Sequence, residues 1–186
     1  MTAPAVTALV VLPGLDGTAR LLAGFADAAR VAGFARVATV AYPTDRTLGY
    51  RDLTALARDA LPRDEAFVLL GESFSGPIAI ALAAEPPPNL RGLVLSTTFA
   101  KAPVPAPAPL AALARIAPVR RLPTAALSFA LLGRWATPAL RRELRDALDT
   151  VAPAVLRARA EAAMRVDARA SGGRRDRPLR RRARLA

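Results

Sequence analysis

Histidine is missing from all 186 residues, and so is cysteine. Without histidine the chain has no imidazole to act as a general base or to bind a metal near neutral pH. Without cysteine it has no disulfide framework and no thiolate metal site. No metal and no cofactor are therefore expected. Aromatic residues are scarce, at 5%, which leaves little surface for stacking on bases. No apolar run approaches the roughly 20 residues needed to span a bilayer. No basic residue precedes the short run Val6–Leu12, which meets Pro13-Gly14, so a signal peptide is not expected. The expected setting is cytoplasmic, with no membrane partner.

What is present is an apolar chain, 53% hydrophobic, long enough for one domain with a real core. Its net charge of +12 is unevenly placed. Residues 1–100 carry 8 basic and 9 acidic side chains, residues 101–170 carry 12 and 5, and residues 171–186 carry 7 and 1. The positive excess thus lies behind a neutral first half. A nucleic-acid-binding face interleaved with aromatics is not the pattern.

Along residues 1–100, apolar β-branched runs alternate with helical periodicity. Thr7–Leu12, Arg36–Ala41, Ala66–Leu70 and Leu90–Ser96 read as strands. Helices are expected from about Ala19 to Arg30 with Thr18 as its cap, over Leu48–Leu61, and over Gly76–Ala84. Leu21, Leu22, Phe25 and Ala29 form the inward stripe of the first. This alternation predicts an α/β domain: a mostly parallel sheet of doubly buried strands with helices on both faces. In such sheets ligands bind beyond the carboxyl ends of the strands, where Leu15 and Ser73 both fall. From residue 101 the pattern changes. Pro103, Pro105, Pro107 and Pro109 form a stiff connector. Helical patches follow at Pro109–Ile116, Thr124–Leu132, Thr137–Leu148 and Pro153–Val166, with no strand signal. They predict an all-helical lid over residues 101–170, with its arginines as solvated charge and Trp135 as a packing anchor. Residues 171–186 read as a basic, disordered tail.

The stretch around Ser73 carries the sharpest signal. Gly71-Glu72-Ser73-Phe74-Ser75-Gly76 joins an apolar strand to an apolar helix, with small residues where a tight bend needs them. A serine at such a bend lifts its hydroxyl off the sheet edge, and the N–H groups after it start a helix. A capping serine in an ordinary turn is the plainer alternative. A phosphate-binding loop is excluded because Pro77 stands where its lysine belongs.

With Leu12-Pro13-Gly14-Leu15-Asp16-Gly17-Thr18 after the first strand and the Ser73 turn after the third, the chain resembles the α/β-hydrolase family. The resemblance covers residues 5 to about 100, and the helical region by position. It implies a serine hydrolase of carboxylic-ester type acting on a small ester-like substrate. Ser73 would be the nucleophile, with Leu15 and Phe74 as backbone donors to the oxyanion. Pro13 stands where many relatives have histidine. The family order continues with an acid and then a histidine. Asp176 is the one candidate for the acid, but no strand precedes it, and a solvated tail aspartate is the simpler account. No histidine is present to be the base. Lys101, the only lysine, follows the fourth strand; a Ser–Lys pairing is conceivable, but its position favours a hinge to the lid.

The fold expected is therefore a truncated α/β-hydrolase core with a lid. Losing the base of such a triad costs on the order of 10^6 in turnover, and the rest of the site leaves roughly 10^3–10^4 over water. The chain alone is expected to be inactive or very weak. The abrupt arginine-rich end suggests a reading-frame change. The alternative is a non-catalytic pseudo-hydrolase, or a binding protein completed by a second chain that supplies the missing strands.

Overall fold

The computed structural model describes residues 8–102 and 137–168. Four strands form one parallel sheet: β1 (Ala8–Leu12), β2 (Arg36–Thr39), β3 (Phe67–Glu72) and β4 (Leu90–Ser96), in the order β2-β1-β3-β4. Helices α1 (Ala23–Val31), α2 (Tyr50–Asp59) and α3 (Gly76–Ala84) connect them, and α4 (Pro138–Asp149) and α5 (Pro153–Ala163) follow β4.

Every residue of β1 is buried, because the period-two pattern of a strand covered on both sides gives both faces to the core. Ala8, Val10 and Leu12 pack with Leu53, Ala57, Phe67, Leu69, Ile78 and Leu82 on the side of α2 and α3. Leu9 and Val11 pack with Ala29 and Leu70 on the side of α1. A fully buried leucine or phenylalanine here contributes about 1.5–3 kcal/mol, so β1 and β3 anchor the domain.

The outer strands depart from the expectation that all four are doubly buried. β2 is half-exposed, and Leu93, Val94 and Leu95 of β4 are 37%, 43% and 45% exposed. Helix α1 also begins later than its apolar stripe suggested. A short 3-10 turn, Arg20–Leu22, precedes it, and Phe25 is 42% exposed. Thr18 lies too far ahead of α1 to cap it; its hydroxyl donates to the Asp16 carboxylate and accepts from the Arg20 N–H at 3.3 Å, where the 3-10 turn begins.

The sheet order reverses direction at β1. The chain moves outward from β1 to β2, then returns to the other side of β1 for β3. Beyond the carboxyl ends of β1 and β3 the connecting loops diverge and leave a crevice. α4 and α5 lie over this crevice. Their own apolar cluster (Leu144, Leu148, Val151, Val155, Leu156) packs on Leu21. Ala152 N–H donates to Thr44 O at 2.8 Å, which fixes the turn between them to the loop after β2. After α5 the chain returns to the end of β4: Ala102 N–H donates to Val166 O (2.8 Å) and Ala168 N–H to Ala100 O (2.7 Å). Lys101 sits in this antiparallel bridge opposite Asp167, with its side chain exposed.

The predicted helices at 109–116 and 124–132, Trp135 and the 171–186 tail lie outside the described residues. No described helix is long and apolar enough to cross a membrane.

Candidate active site

β3 ends in Gly71-Glu72, and Ser73 follows with φ +48°. That is the left-handed region, which costs an ordinary side chain about 1–3 kcal/mol and persists only where neighbours enforce it. The neighbours are visible. A Cβ on Gly71 would lie 2.6 Å from Ala79 Cβ and 3.1 Å from Ser75 O, so only glycine lets α3 start this close to β3. A Cβ on Gly76 would collide with the Thr98 side chain. Thr98 follows Thr97, itself at φ +43°, and its hydroxyl donates to Ser73 O. Phe74 is buried and stacked on Tyr50, ring centres 4.8 Å apart, while Tyr50 Oη donates to Phe74 O at 3.1 Å. Phe74 thus gives its side chain to the core, and only its backbone remains for the crevice.

Ser75 has more than the small size the turn requires. It is fully buried, and its hydroxyl donates to Pro13 O. Tyr42 Oη then donates to Ser75 Oγ at 2.7 Å. Burial pushes the Tyr42 phenol far above its usual range, so it stays a donor. The β3–α3 turn is in this way bonded to the loop after β1.

That loop, 13–18, is built from turn bonds. Gly17 N–H donates to Gly14 O at 3.0 Å, with Gly17 at φ +70°. Asp16, 4% exposed, accepts from Thr18 N–H at 2.9 Å and from its hydroxyl. The peptide between Gly14 and Leu15 aims its carbonyl at Gly17, and a trans peptide then aims the Leu15 N–H the opposite way. Tyr42 N–H donates to Gly17 O at 2.8 Å.

One side chain from α5 completes the loop. Arg159 is 2% exposed. Its Nη1 donates to Leu15 O (3.0 Å) and Asp16 O (2.7 Å), and its Nη2 to Pro43 O (2.9 Å). The guanidinium lies 5.7 Å from the centre of the Tyr42 ring and fills the space a Cβ on Gly17 would need. Burial lowers its pKa, and the charge of Asp16 and the Tyr42 phenol oppose that shift. The expectation that the arginines after residue 101 are all solvated holds for Arg141, Arg142 and Arg145 on α4 and fails for Arg159. No sequence signal marked it, because its three acceptors lie more than 110 positions away.

A cleft of about 70 Å³ lies between these parts. Its floor is Gly14, Leu15 and Asp16 from the loop with Glu72 and Ser73 from the turn. Leu21, Leu144 and Leu148 form its apolar wall. Ser73 and Leu15 are therefore brought together, with the Phe74 backbone beside Ser73. Asp176 lies outside the described residues. Glu72 was not singled out in the sequence, yet it is the ionisable group next to Ser73. Burial, and then the charge of Asp16, raises its pKa to about 7, against a bond from the Gly14 backbone that favours the carboxylate. Among the described residues no group of three or more acidic, histidine or cysteine side chains could hold a metal ion.

No protein-family profile matches the chain, and no curated protein matches it significantly. Solved structures do. One is the N-formylmaleamic acid deformylase of Pseudomonas putida, 23% identical with a TM-score of 0.56, over 90% of this chain and 69% of that one. Another is MenH from Staphylococcus aureus, 16% identical with a TM-score of 0.62, over 87% and 68%. A third is a hydrolase from Pseudomonas aeruginosa, 20% identical with a TM-score of 0.63, over 90% and 68%. The four-stranded parallel sheet, the order of its connections and these likenesses together give the chain the α/β-hydrolase fold.

Proposed function

We propose that the chain is a serine hydrolase of the acyl-transfer type, with Ser73 as nucleophile. The observation that carries this reading is the positive φ of Ser73 at the end of β3, in one cleft with Leu15. A strained serine at a strand-to-helix bend is the arrangement that presents a hydroxyl to a carbonyl carbon. Ser73 Oγ would bond to that carbon while the bond to the leaving oxygen or nitrogen breaks, and the hydroxyl proton would pass to the leaving group. The N–H groups of Leu15 and Phe74 would hold the negative charge on the carbonyl oxygen. The leucine wall and the small volume favour a short, apolar ester or amide. One structural neighbour is named as a deformylase, which is in keeping with a small acyl group.

The helices α4 and α5 act as the lid in this reading, residues 1–100 as the core and residues 171–186 as a basic tail. The 186 residues contain no histidine to activate Ser73 or water. We propose that the base and its acid come from outside these 186 residues, a second polypeptide being one source. Alone, the chain would then acylate slowly and deacylate more slowly still. A cytoplasmic location and the absence of a nucleic-acid partner belong to the same proposal.

Incubation with p-nitrophenyl acetate tests it. The expected result is an acetyl group that persists on the Ser73 peptide by tandem mass spectrometry, formed faster in added imidazole and absent from Ser73→Ala. Acetylation elsewhere, or none with imidazole present, would refute the nucleophile. The absence of a base favours one second reading, a non-catalytic pseudo-hydrolase whose cleft only binds. Binding of an unreactive ester analogue without acetylation would select it.

A further inference from the structure

The loop that holds Leu15 is positioned from the far end of the described chain. Besides Arg159, the 13–18 segment is held by the Gly17-to-Gly14 turn bond, the Asp16 bonds to Thr18, the Gly17 carbonyl bonded to Tyr42, the Pro13 carbonyl bonded to Ser75 and the Gly14 backbone bonded to Glu72. None of them reaches the carbonyls of Leu15 and Asp16. A buried carbonyl without a donor is costly, and one charged fork can serve several. Arg159 does this from α5, and it also takes Pro43 O from the loop after β2. Gly17 has room for no side chain because the guanidinium occupies that space.

We propose that Arg159 is a positioning residue: its guanidinium, through the carbonyls of Leu15 and Asp16, sets the orientation of the peptides in the loop that shares the cleft with Ser73. The reason is peptide planarity. Holding the carbonyl of Asp16 on the α5 side turns the Gly17 N–H of the same peptide toward Gly14 O, and that bond in turn orients the Gly14–Leu15 peptide, which carries the Leu15 N–H. α5 is in consequence a fixed part of the site, tied through a polar lock. α4 reaches the same cleft only through Leu144 and Leu148. Arginine suits the task because its planar fork binds two loops at once, which a lysine ammonium on a single stem does less well. The catalytic meaning of this lock rests on the reading of Ser73 given above, but the lock itself does not.

Amide hydrogen exchange tests it without any chemistry at Ser73. Gly17 and Thr18 N–H are bonded inside the loop, so their exchange requires the loop to open. In Arg159→Met these two amides should exchange at least about tenfold faster relative to those of β1 and β3, and Arg159→Lys should restore part of the protection. Leu156→Ala, a buried change in the same helix, is the control. At matched global stability it should leave the ratio unchanged. Equal loosening in Leu156→Ala and Arg159→Met, or no selective loosening in either, would overturn the proposal. The wild-type chain gives a second readout that survives if the variants fail to fold. Held by three carbonyls, the Arg159 Nη protons should appear as separate resonances near neutral pH, and a single averaged signal would overturn the proposal. Failure of acetylation at Ser73 with the exchange result intact would refute the hydrolase reading and leave the lock standing.

Discussion

α4 and α5 are neighbours of similar length, both rich in arginine, and both lie over the same crevice, yet they are attached to it in opposite ways. α4 presents Leu144 and Leu148 to the cleft and keeps Arg141, Arg142 and Arg145 in solvent. α5 buries Val155 and Leu156 and also Arg159, whose charge is spent on three backbone carbonyls. An apolar contact is non-directional, so a helix held by leucines can slide or tilt at small cost. A guanidinium fork between two loops fixes angle and register together. The role of an arginine in this chain is therefore set by what the fold places beyond its side chain, and not by the charge of its segment.

The largest effect should come from removing the lock itself. Arg159→Met leaves three inward carbonyls without their charged donor and should cost about 3–5 kcal/mol in urea unfolding. Arg145→Met on α4 should stay within about 0.5 kcal/mol. Equal losses would erase the contrast between the helices. Next, Leu148→Ala should cost about 2–3 kcal/mol, the lower part of the range for a buried leucine near a cleft. It should also leave exchange in the 13–18 loop unchanged.

A pH series sharpens the contrast from the floor of the cleft. Glu72 titrates near 7 in the folded chain and near its ordinary 4.5 when unfolded. Between those values the folded state holds the extra proton, so stability falls as pH rises from about 4.5 to above 7. The fall attributable to Glu72 should be about 3 kcal/mol, and Glu72→Gln should abolish that part of the slope. A Tm series across this range with the slope retained in the variant would place the titration elsewhere. A smaller effect is expected of Tyr42→Phe, about 1 kcal/mol for one buried hydroxyl bond. It should slightly loosen the joint between Ser75 and Pro13.

Much of this arrangement was legible in the sequence. Strand β1, predicted from Thr7, runs from Ala8 to Leu12, because an unbroken apolar run bounded by Pro13-Gly14 admits few other readings. The bend at Ser73 was legible because its small neighbours are required sterically at Gly71 and Gly76. Three things were hidden. The β3 strand runs on to Glu72, two residues past its apolar pattern, because backbone pairing with β4 continues into the turn. The exposure of Leu93, Val94 and Leu95 depends on which strand lies at the edge of the described sheet, and an apolar run does not say that. Arg159, Tyr42 and Ser75 act across long sequence separations, and a single arginine, tyrosine or serine has no periodicity to reveal its partner.

The central claim is that the turn after β3 exposes a reactive Ser73 in the cleft it shares with Leu15. Peptide-mapped labelling by a fluorophosphonate tests it most directly, with the buried Ser75 as an internal control. The account predicts an adduct on Ser73, accelerated by imidazole, none on Ser75 and none in Ser73→Ala. An adduct on another serine at the same rate, or none at Ser73 with imidazole present, would contradict it.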